Sequence, residues 1–268
     1  MKLRSAVEIL RSIRVGKGEI VCPVCGSKRL RRATALSGWL TGWRYYCEDC
    51  GYTGPIYKVE ENLTVLCLAD PHGRWKKLLE AIERVDSNMV LIAGDLLMDL
   101  EGVLEKADIE GRAVFYVPGN MDSPREAEIE GYGSARNLHN RKVVFNGFSL
   151  GGFGGANKGP FHTPFEWREE EALEKLRSLG GVDILLTHAP PKNTNCDRGP
   201  FGMHIGSIAV RKYIEEFQPK LVVCGHIHES RGIDKIGETV IVNPGPLHRG
   251  YAAIARVTRE VIVDLIEI

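Results

Sequence analysis

No apolar run in this 268-residue chain approaches the roughly 20 residues that a membrane-spanning helix requires, so no membrane partner is expected. The first residues also lack the apolar stretch of a secretory signal, and the expectation is a cytoplasmic protein. Internal repeats and low-complexity tails are missing as well. Net charge is zero, with 35 Lys and Arg against 35 Asp and Glu. That zero conceals a division, because residues 1–60 carry eleven basic against five acidic side chains and the remainder carries 24 against 30. Apolar content of 43% is ample for a core, and the length suits one large α/β domain with a small appendage.

What the chain does contain is a series of apolar runs that each lead into metal-seeking side chains. Leu63 to Ala69 precedes Asp70-Pro71-His72, Met89 to Ala93 precedes Gly94-Asp95, and Ala113 to Val117 precedes Gly119-Asn120. Ile184 to Leu186 precedes Thr187-His188, and Leu221 to Cys224 precedes Gly225-His226-Ile227-His228. Runs of this length read as buried strands. Ligands of open α/β sheets bind outside the carboxyl ends of the strands, so Asp70, His72, Asp95, Asn120, His188, His226 and His228 are expected in one patch. Mixed imidazole, carboxylate and amide donors suit first-row ions such as Mn, Fe, Ni or Zn. Seven donors exceed what one octahedral ion can use, whereas two ions sharing a carboxylate would use them all.

In order and spacing these motifs resemble the calcineurin-like metallophosphoesterase superfamily, whose signature runs D-x-H, G-D, G-N, an isolated H, then G-H-x-H. The resemblance covers roughly residues 62 to 268 and implies a four-layer α/β/β/α sandwich, two facing mixed sheets with helices outside. It implies a metal pair bridged by Asp95, with Asp70, His72 and His228 on one ion and Asn120, His188 and His226 on the other. Asn243-Pro244-Gly245-Pro246 resembles the family's turn after the last motif strand. Met203 to Val210 and Cys224 to Gly232 look most like the branch related to bacterial cyclic-nucleotide phosphodiesterases. The implied activity is hydrolysis of a phosphodiester, a small nucleotide among the candidates, with Asp95 and Asn120 in the catalytic centre. A divalent ion lowers the pKa of bound water to about 7, which supplies hydroxide without a protein base, and phosphoryl transfer asks mainly for positioning and charge neutralisation.

One position departs from the pattern. Many members continue the asparagine motif as G-N-H-[DE], and that histidine is thought to help protonate the leaving group; here the residues are Gly119-Asn120-Met121-Asp122. A thioether donates no proton. His204, in a glycine-rich stretch with Gly199, Gly202 and Gly206, is the candidate substitute. His139, His162 and His248 belong to no motif and read as structural or exposed.

The first sixty residues are a different object. Cys22-Pro23-Val24-Cys25 and Cys47-Glu48-Asp49-Cys50 form two C-x-x-C knuckles with 21 residues between them, close to the spacing of a four-cysteine zinc site; they look like a zinc ribbon with one structural Zn on Cys22, Cys25, Cys47 and Cys50, the alternative being a redox pair or disulfide. Before them, Leu3, Ala6, Val7, Leu10 and Ile13 recur at helical spacing up to Gly16, an amphipathic helix whose apolar face could dock on the ribbon, the catalytic domain or another subunit. The expected organisation is therefore 1–16 helix, 17–60 ribbon and 61–268 catalytic domain. Arg29, Arg31, Arg32 and Arg44, interleaved with Trp39 and Trp43, have the composition of a nucleic-acid surface, and equally of a rim that docks on the acidic catalytic part.

Elsewhere Arg74 to Val85, Phe165 to Leu179 and Ser207 to Phe217 carry helical periodicity. Arg141 to Phe148, Thr239 to Val242, Tyr251 to Val257 and Val261 to Ile266 read as strands of the second sheet, and the glycine-rich Gly151 to Gly159 as a loop between sheet and site. Three functions follow in order of preference: a metal-dependent phosphodiesterase, a nuclease to which the ribbon delivers a strand, and a non-catalytic scaffold. The intact ligand set argues against the last.

Overall fold

A computed structural model describes Cys22 and residues 27–33, 44–54, 63–97, 100–104, 112–258 and 260–268. The expected N-terminal helix, Cys25, Trp39 and Trp43 lie outside the described residues. Short strands β1 (Leu30–Arg32), β2 (Tyr45–Cys47) and β3 (Thr53–Gly54) pair as an antiparallel sheet in the order β1-β2-β3.

The main body is built on two mixed sheets. Its strands are β4 (Leu63–Ala69), β5 (Met89–Ala93), β6 (Ala113–Val117), β7 (Gly131–Tyr132), β8 (Ala135–Asn137), β9 (Lys142–Phe145), β10 (Phe148–Phe153), β11 (Ala156–Asn157) and β12 (Glu166–Trp167). They continue as β13 (Ile184–Thr187), β14 (Leu221–Val223), β15 (Gly232–Ile236), β16 (Thr239–Asn243), β17 (Tyr251–Val257) and β18 (Val261–Glu267). Among the described residues four α-helices complete it: α1 (Trp75–Arg84), α2 (Leu100–Leu104), α3 (Glu169–Ser178) and α4 (Ile208–Phe217). One sheet runs β18-β17-β4-β5-β6-β8-β7 and the other β15-β16-β14-β13-β10-β9.

Strand period assigns each apolar residue to a layer. In β4, Leu63, Val65, Cys67 and Ala69 face the other sheet, where they meet Phe148, Leu150, Ile184, Leu186, Val223 and Val242. Leu66 and Leu68 point the other way, into a layer shared with Leu78, Ala81 and Ile82 of α1. The outer face of the second sheet carries Leu185, Val222 and Ile241 against Ala172 and Leu176 of α3 and Val210, Tyr213 and Ile214 of α4. Burial on both faces is why the central parallel strands read as unbroken apolar runs. The result is the four-layer α/β/β/α sandwich. Glu169 ties its helical layer together, since its carboxylate accepts from the backbone N–H groups of Ile208 and Ala209 and from the Ser207 hydroxyl, at 3.1, 2.8 and 2.8 Å, at the start of α4.

Four expectations need correction. Strands β17 and β18 do not belong to the second sheet; β17 pairs antiparallel with β4 and extends the first. The run Arg141 to Phe148 is not one strand but a hairpin between β9 and β10, turning at Asn146 and Gly147, both at positive φ (47° and 79°), as this dipeptide favours. Gly151 and Gly152 lie inside β10 rather than in a loop. The third helix begins at Glu169, not Phe165, because Glu166 and Trp167 pair with Ala156 and Asn157 and the Glu166 carboxylate is held by Thr163.

Candidate metal centre

Five loops leave the carboxyl ends of β4, β5, β6, β13 and β14, and all seven predicted donors converge at that rim. Asp70, His72, Asp95 and His226 take positive φ values of 51°, 44°, 52° and 68°. The left-handed region is uncommon for side chains of this size and persists where the surroundings enforce it, here by turning the chain sharply off each strand. Two motif glycines have a steric reason. A Cβ on Gly94 would overlap the His188 ring, and one on Gly119 would overlap the Asp95 carboxylate.

The contacts form one connected cluster. His72 Nε2 lies 3.2 Å from His228 Nε2 and 3.7 Å from Asp95 Oδ2, and His228 Nε2 lies 3.5 Å from Asp70 Oδ1. On the other side His188 Nε2 is 2.8 Å from Asn120 Oδ1 and 3.5 Å from Asp95 Oδ1. The His188 and His226 rings are 5.0 Å apart. His188 donates from Nδ1 to the Ala93 carbonyl at 2.8 Å, which fixes the ring with Nε2 turned toward Asn120 and Asp95. Asp70, His72 and His228 form one group whose donor atoms lie within 4.8 Å of one another, and Asp70, Asp95 and His188 form a second. Either could hold a metal ion, and Asp95 has one carboxylate oxygen toward each side.

Asp122 supports the rim. Its carboxylate accepts from the backbone N–H groups of Leu96, Leu97 and Gly119 at 3.1, 3.0 and 2.7 Å, joining the loop after β5 to the loop after β6. The Met121 N–H donates to Asp95 Oδ1 at 2.8 Å.

Electrostatics fit a cation. Burial pushes the Asp95 carboxyl up to about 6, with nearby Asp70 adding to the shift and His188 opposing it. Burial also works against ionised Asp70, but His228, His188 and His226 outweigh it and hold that carboxyl below its usual range. Burial takes His226 down to about 3, with His188 contributing, and also lowers His72. Burial works against protonated His188, but Asp95 and Asp70 outweigh it and raise that imidazole above its ordinary range. Two buried carboxylates that draw positive charge to the cluster are what a divalent ion would satisfy, and the strain on Asp95 is what such an ion would relieve.

His204 contacts none of the seven through its imidazole; Nδ1 is 2.6 Å from Oδ1 of fully buried Asp197, which also accepts from three backbone N–H groups. Its loop begins directly after His188 and is pinned by the Ser230 hydroxyl, which donates to Arg198 O at 2.6 Å. His139 is structural as expected, accepting from the Gly154 N–H and stacked on Phe153. His248 is the residue that sequence reasoning missed. Its Nδ1 is 3.1 Å from the Asp70 carbonyl, and its ring packs 5.0 Å from that of His72 and 5.3 Å from that of His228. Only its place two residues after the Asn-Pro-Gly-Pro turn could have drawn notice.

In the N-terminal part, Cys22, Cys47 and Cys50 bring their sulfurs within 4.8 Å of one another, a second candidate metal group. The basic residues there have local partners. Arg29 pairs with Asp49, and Arg31 lies 3.9 Å from Glu48 with its guanidinium 4.5 Å from the Tyr46 ring centre.

Residues 63–230 match the family model of calcineurin-like phosphoesterases. An uncharacterized protein of Methanocaldococcus jannaschii is 35% identical over 196 residues, covering 69% of this chain and 88% of that protein. Metallophosphoesterase domain-containing protein 1 of Homo sapiens is 34% identical over 101 residues, 37% of this chain and 30% of that one. Among solved structures, a Thermus thermophilus protein shares the fold with a TM-score of 0.55 at 19% identity, over 75% of this chain and 98% of its own. Another reaches a TM-score of 0.62 at 23% identity, over 77% and 99%.

Proposed function

The chain belongs to the calcineurin-like phosphoesterase family, a family of metal-dependent phosphoester hydrolases, and from that premise we propose that it is a phosphodiesterase working through two divalent ions. The observation that carries the two-ion reading is Asp95, buried between His72 and His188 with one oxygen toward each, at 3.7 and 3.5 Å. In this reading Asp95 would serve both ions, Asp70, His72 and His228 would hold one, and Asn120, His188 and His226 would hold the other. Bound Mn, Fe, Ni or Zn would supply hydroxide at neutral pH and neutralise charge on the phosphoryl group.

The protein's own residues do the rest. The backbone strain at Asp70, His72, Asp95 and His226 aims donors in advance, so little ordering remains when the substrate arrives. Met121 leaves the adjacent position without a proton donor, and His204, oriented by Asp197, is the proposed donor to the leaving oxygen. Absence of the motif histidine and the resemblance of Met203 to Val210 to the cyclic-nucleotide branch both favour a diester over a monoester. For the N-terminal part, Cys25 is proposed to join Cys22, Cys47 and Cys50 on one structural Zn, so that 17–60 forms a ribbon separate from the catalytic domain at 61–268. Delivery of nucleic acid by that ribbon is the weaker reading, because Arg29 and Arg31 are engaged with Asp49 and Glu48.

The test is hydrolysis of bis-p-nitrophenyl phosphate beside p-nitrophenyl phosphate, after chelation and refilling with Mn²⁺. Turnover of the diester that is faster than that of the monoester, and that disappears in Asp95→Ala, is expected. A preference for the monoester, or diester turnover that survives Asp95→Ala, would overturn the assignment.

A further inference from the structure

Exposed apolar side chains on a folded surface normally occur singly and scattered. Here they are concentrated. Of the ten large exposed hydrophobic residues among the described ones, Leu97, Met121, Phe201, Met203 and Ile205 sit on loops that leave the carboxyl ends of β5, β6 and β13, three of the strand ends that frame the metal centre, and Phe161 sits on the loop between β11 and β12. Phe161 is 86% exposed and Phe201 fully exposed, so neither ring contributes to the core. Phe201 is held at a φ of 60° inside a turn closed by the Gly202 N–H on the Gly199 carbonyl and the Met203 N–H on the Pro200 carbonyl, at 3.1 and 3.4 Å, with its ring outward.

The two loops that carry the phenylalanines are fastened to the site and to each other. The Phe165 N–H donates to the Asn120 carbonyl at 3.0 Å, which ties the Phe161 loop to the asparagine motif. Ser230, two residues after His228, holds Arg198 on the Phe201 loop, and Asn157 Nδ2 donates to the Ile205 carbonyl at 3.3 Å, linking one loop to the other. We infer that Phe161 and Phe201 are specificity-determining residues that provide a stacking platform for the planar base of a small nucleotide phosphodiester, whose phosphate reaches the metal centre. The inference rests on the phosphodiesterase reading and adds the part of the substrate that is not phosphate. Charge selects among apolar occupants: residues 61–268 carry 24 basic against 30 acidic side chains, which disfavours an anionic bilayer and a long polyanion but tolerates one nucleotide.

The Phe161→Ala/Phe201→Ala double variant tests this in the full-length, Mn²⁺-loaded protein. For thymidine 5′-(p-nitrophenyl phosphate), KM should rise at least about tenfold with kcat little changed, whereas kcat/KM for methyl p-nitrophenyl phosphate should stay at the wild-type value. Equilibrium dialysis of thymidine 5′-monophosphate should show the same loss of affinity, and Phe201→Trp on the Phe161 background should keep it. This binding measurement decides even if no ester is turned over, which would sink the phosphodiesterase reading alone. Equal affinity of wild type and double variant for the nucleotide, or no nucleotide binding by wild type, would overturn the platform. So would binding of wild type, but not the variant, to phosphatidylglycerol vesicles, which would make the patch a lipid contact.

Discussion

A single methyl group at Gly119 should disable the metal centre while leaving the fold intact. The φ of Gly119 is not in the left-handed region, so alanine is conformationally acceptable there, and the effect comes from contact alone. The added Cβ would overlap the Asp95 carboxylate and its backbone N–H, and the loop cannot retreat because Asp122 holds the Gly119 N–H at 2.7 Å. Asp95 must therefore give way by about 1 Å, a displacement that typically costs about 10²-fold in rate when it affects catalytic geometry. Stability should fall by only about 1 to 3 kcal/mol, the usual range for overpacking. The assay is diester turnover and calorimetric Mn²⁺ titration of Gly119→Ala, with thermal melting to verify the fold. Gly181→Ala serves as the control, since its Cβ would meet Phe217 at an ordinary 3.6 Å. If Gly119→Ala bound Mn²⁺ and hydrolysed the diester as wild type does, the claim that Asp95 is the shared ligand would fail.

Other consequences can be measured independently. Cys47→Ser should remove one equivalent of bound Zn by elemental analysis and leave hydrolysis of bis-p-nitrophenyl phosphate within about threefold, because surface or remote changes rarely alter site geometry; complete loss of hydrolysis with the catalytic domain still folded would mean that the two metal groups are not separate. Burial lowers His139 from 6.5 to about 4, so the folded state binds fewer protons than the unfolded chain across that window and stability falls as pH drops through it. The contribution is about 2 to 3 kcal/mol, and urea midpoints at pH 7 and pH 4.5 should differ less in His139→Gln than in wild type. An identical pH dependence would show that His139 is protonated in the folded protein.

The apolar runs and the residues that follow them were legible because the central strands bury both faces, so they carry no competing polar pattern. The helices over Trp75–Arg84 and Ile208–Phe217 were legible for a related reason, one apolar face against one sheet. Sheet membership was not. The periodicity of Tyr251 to Val257 fits either sheet, and only pairing with β4 decides it. The hairpin at Asn146-Gly147 was readable from its turn dipeptide but was absorbed into a continuous strand. His248 escaped notice because its proximity to His72 and His228 comes from the path of the chain after β16, which no local spacing encodes.

Asp122 behaves as a ruler. By holding Leu96, Leu97 and Gly119 with one carboxylate, it makes the loops bearing Asp95 and Asn120 a single object whose dimensions are inherited from the β5–β6 register. The spacing between the loop bearing Asp95 and the loop bearing Asn120 is thus set by the scaffold, before anything binds there.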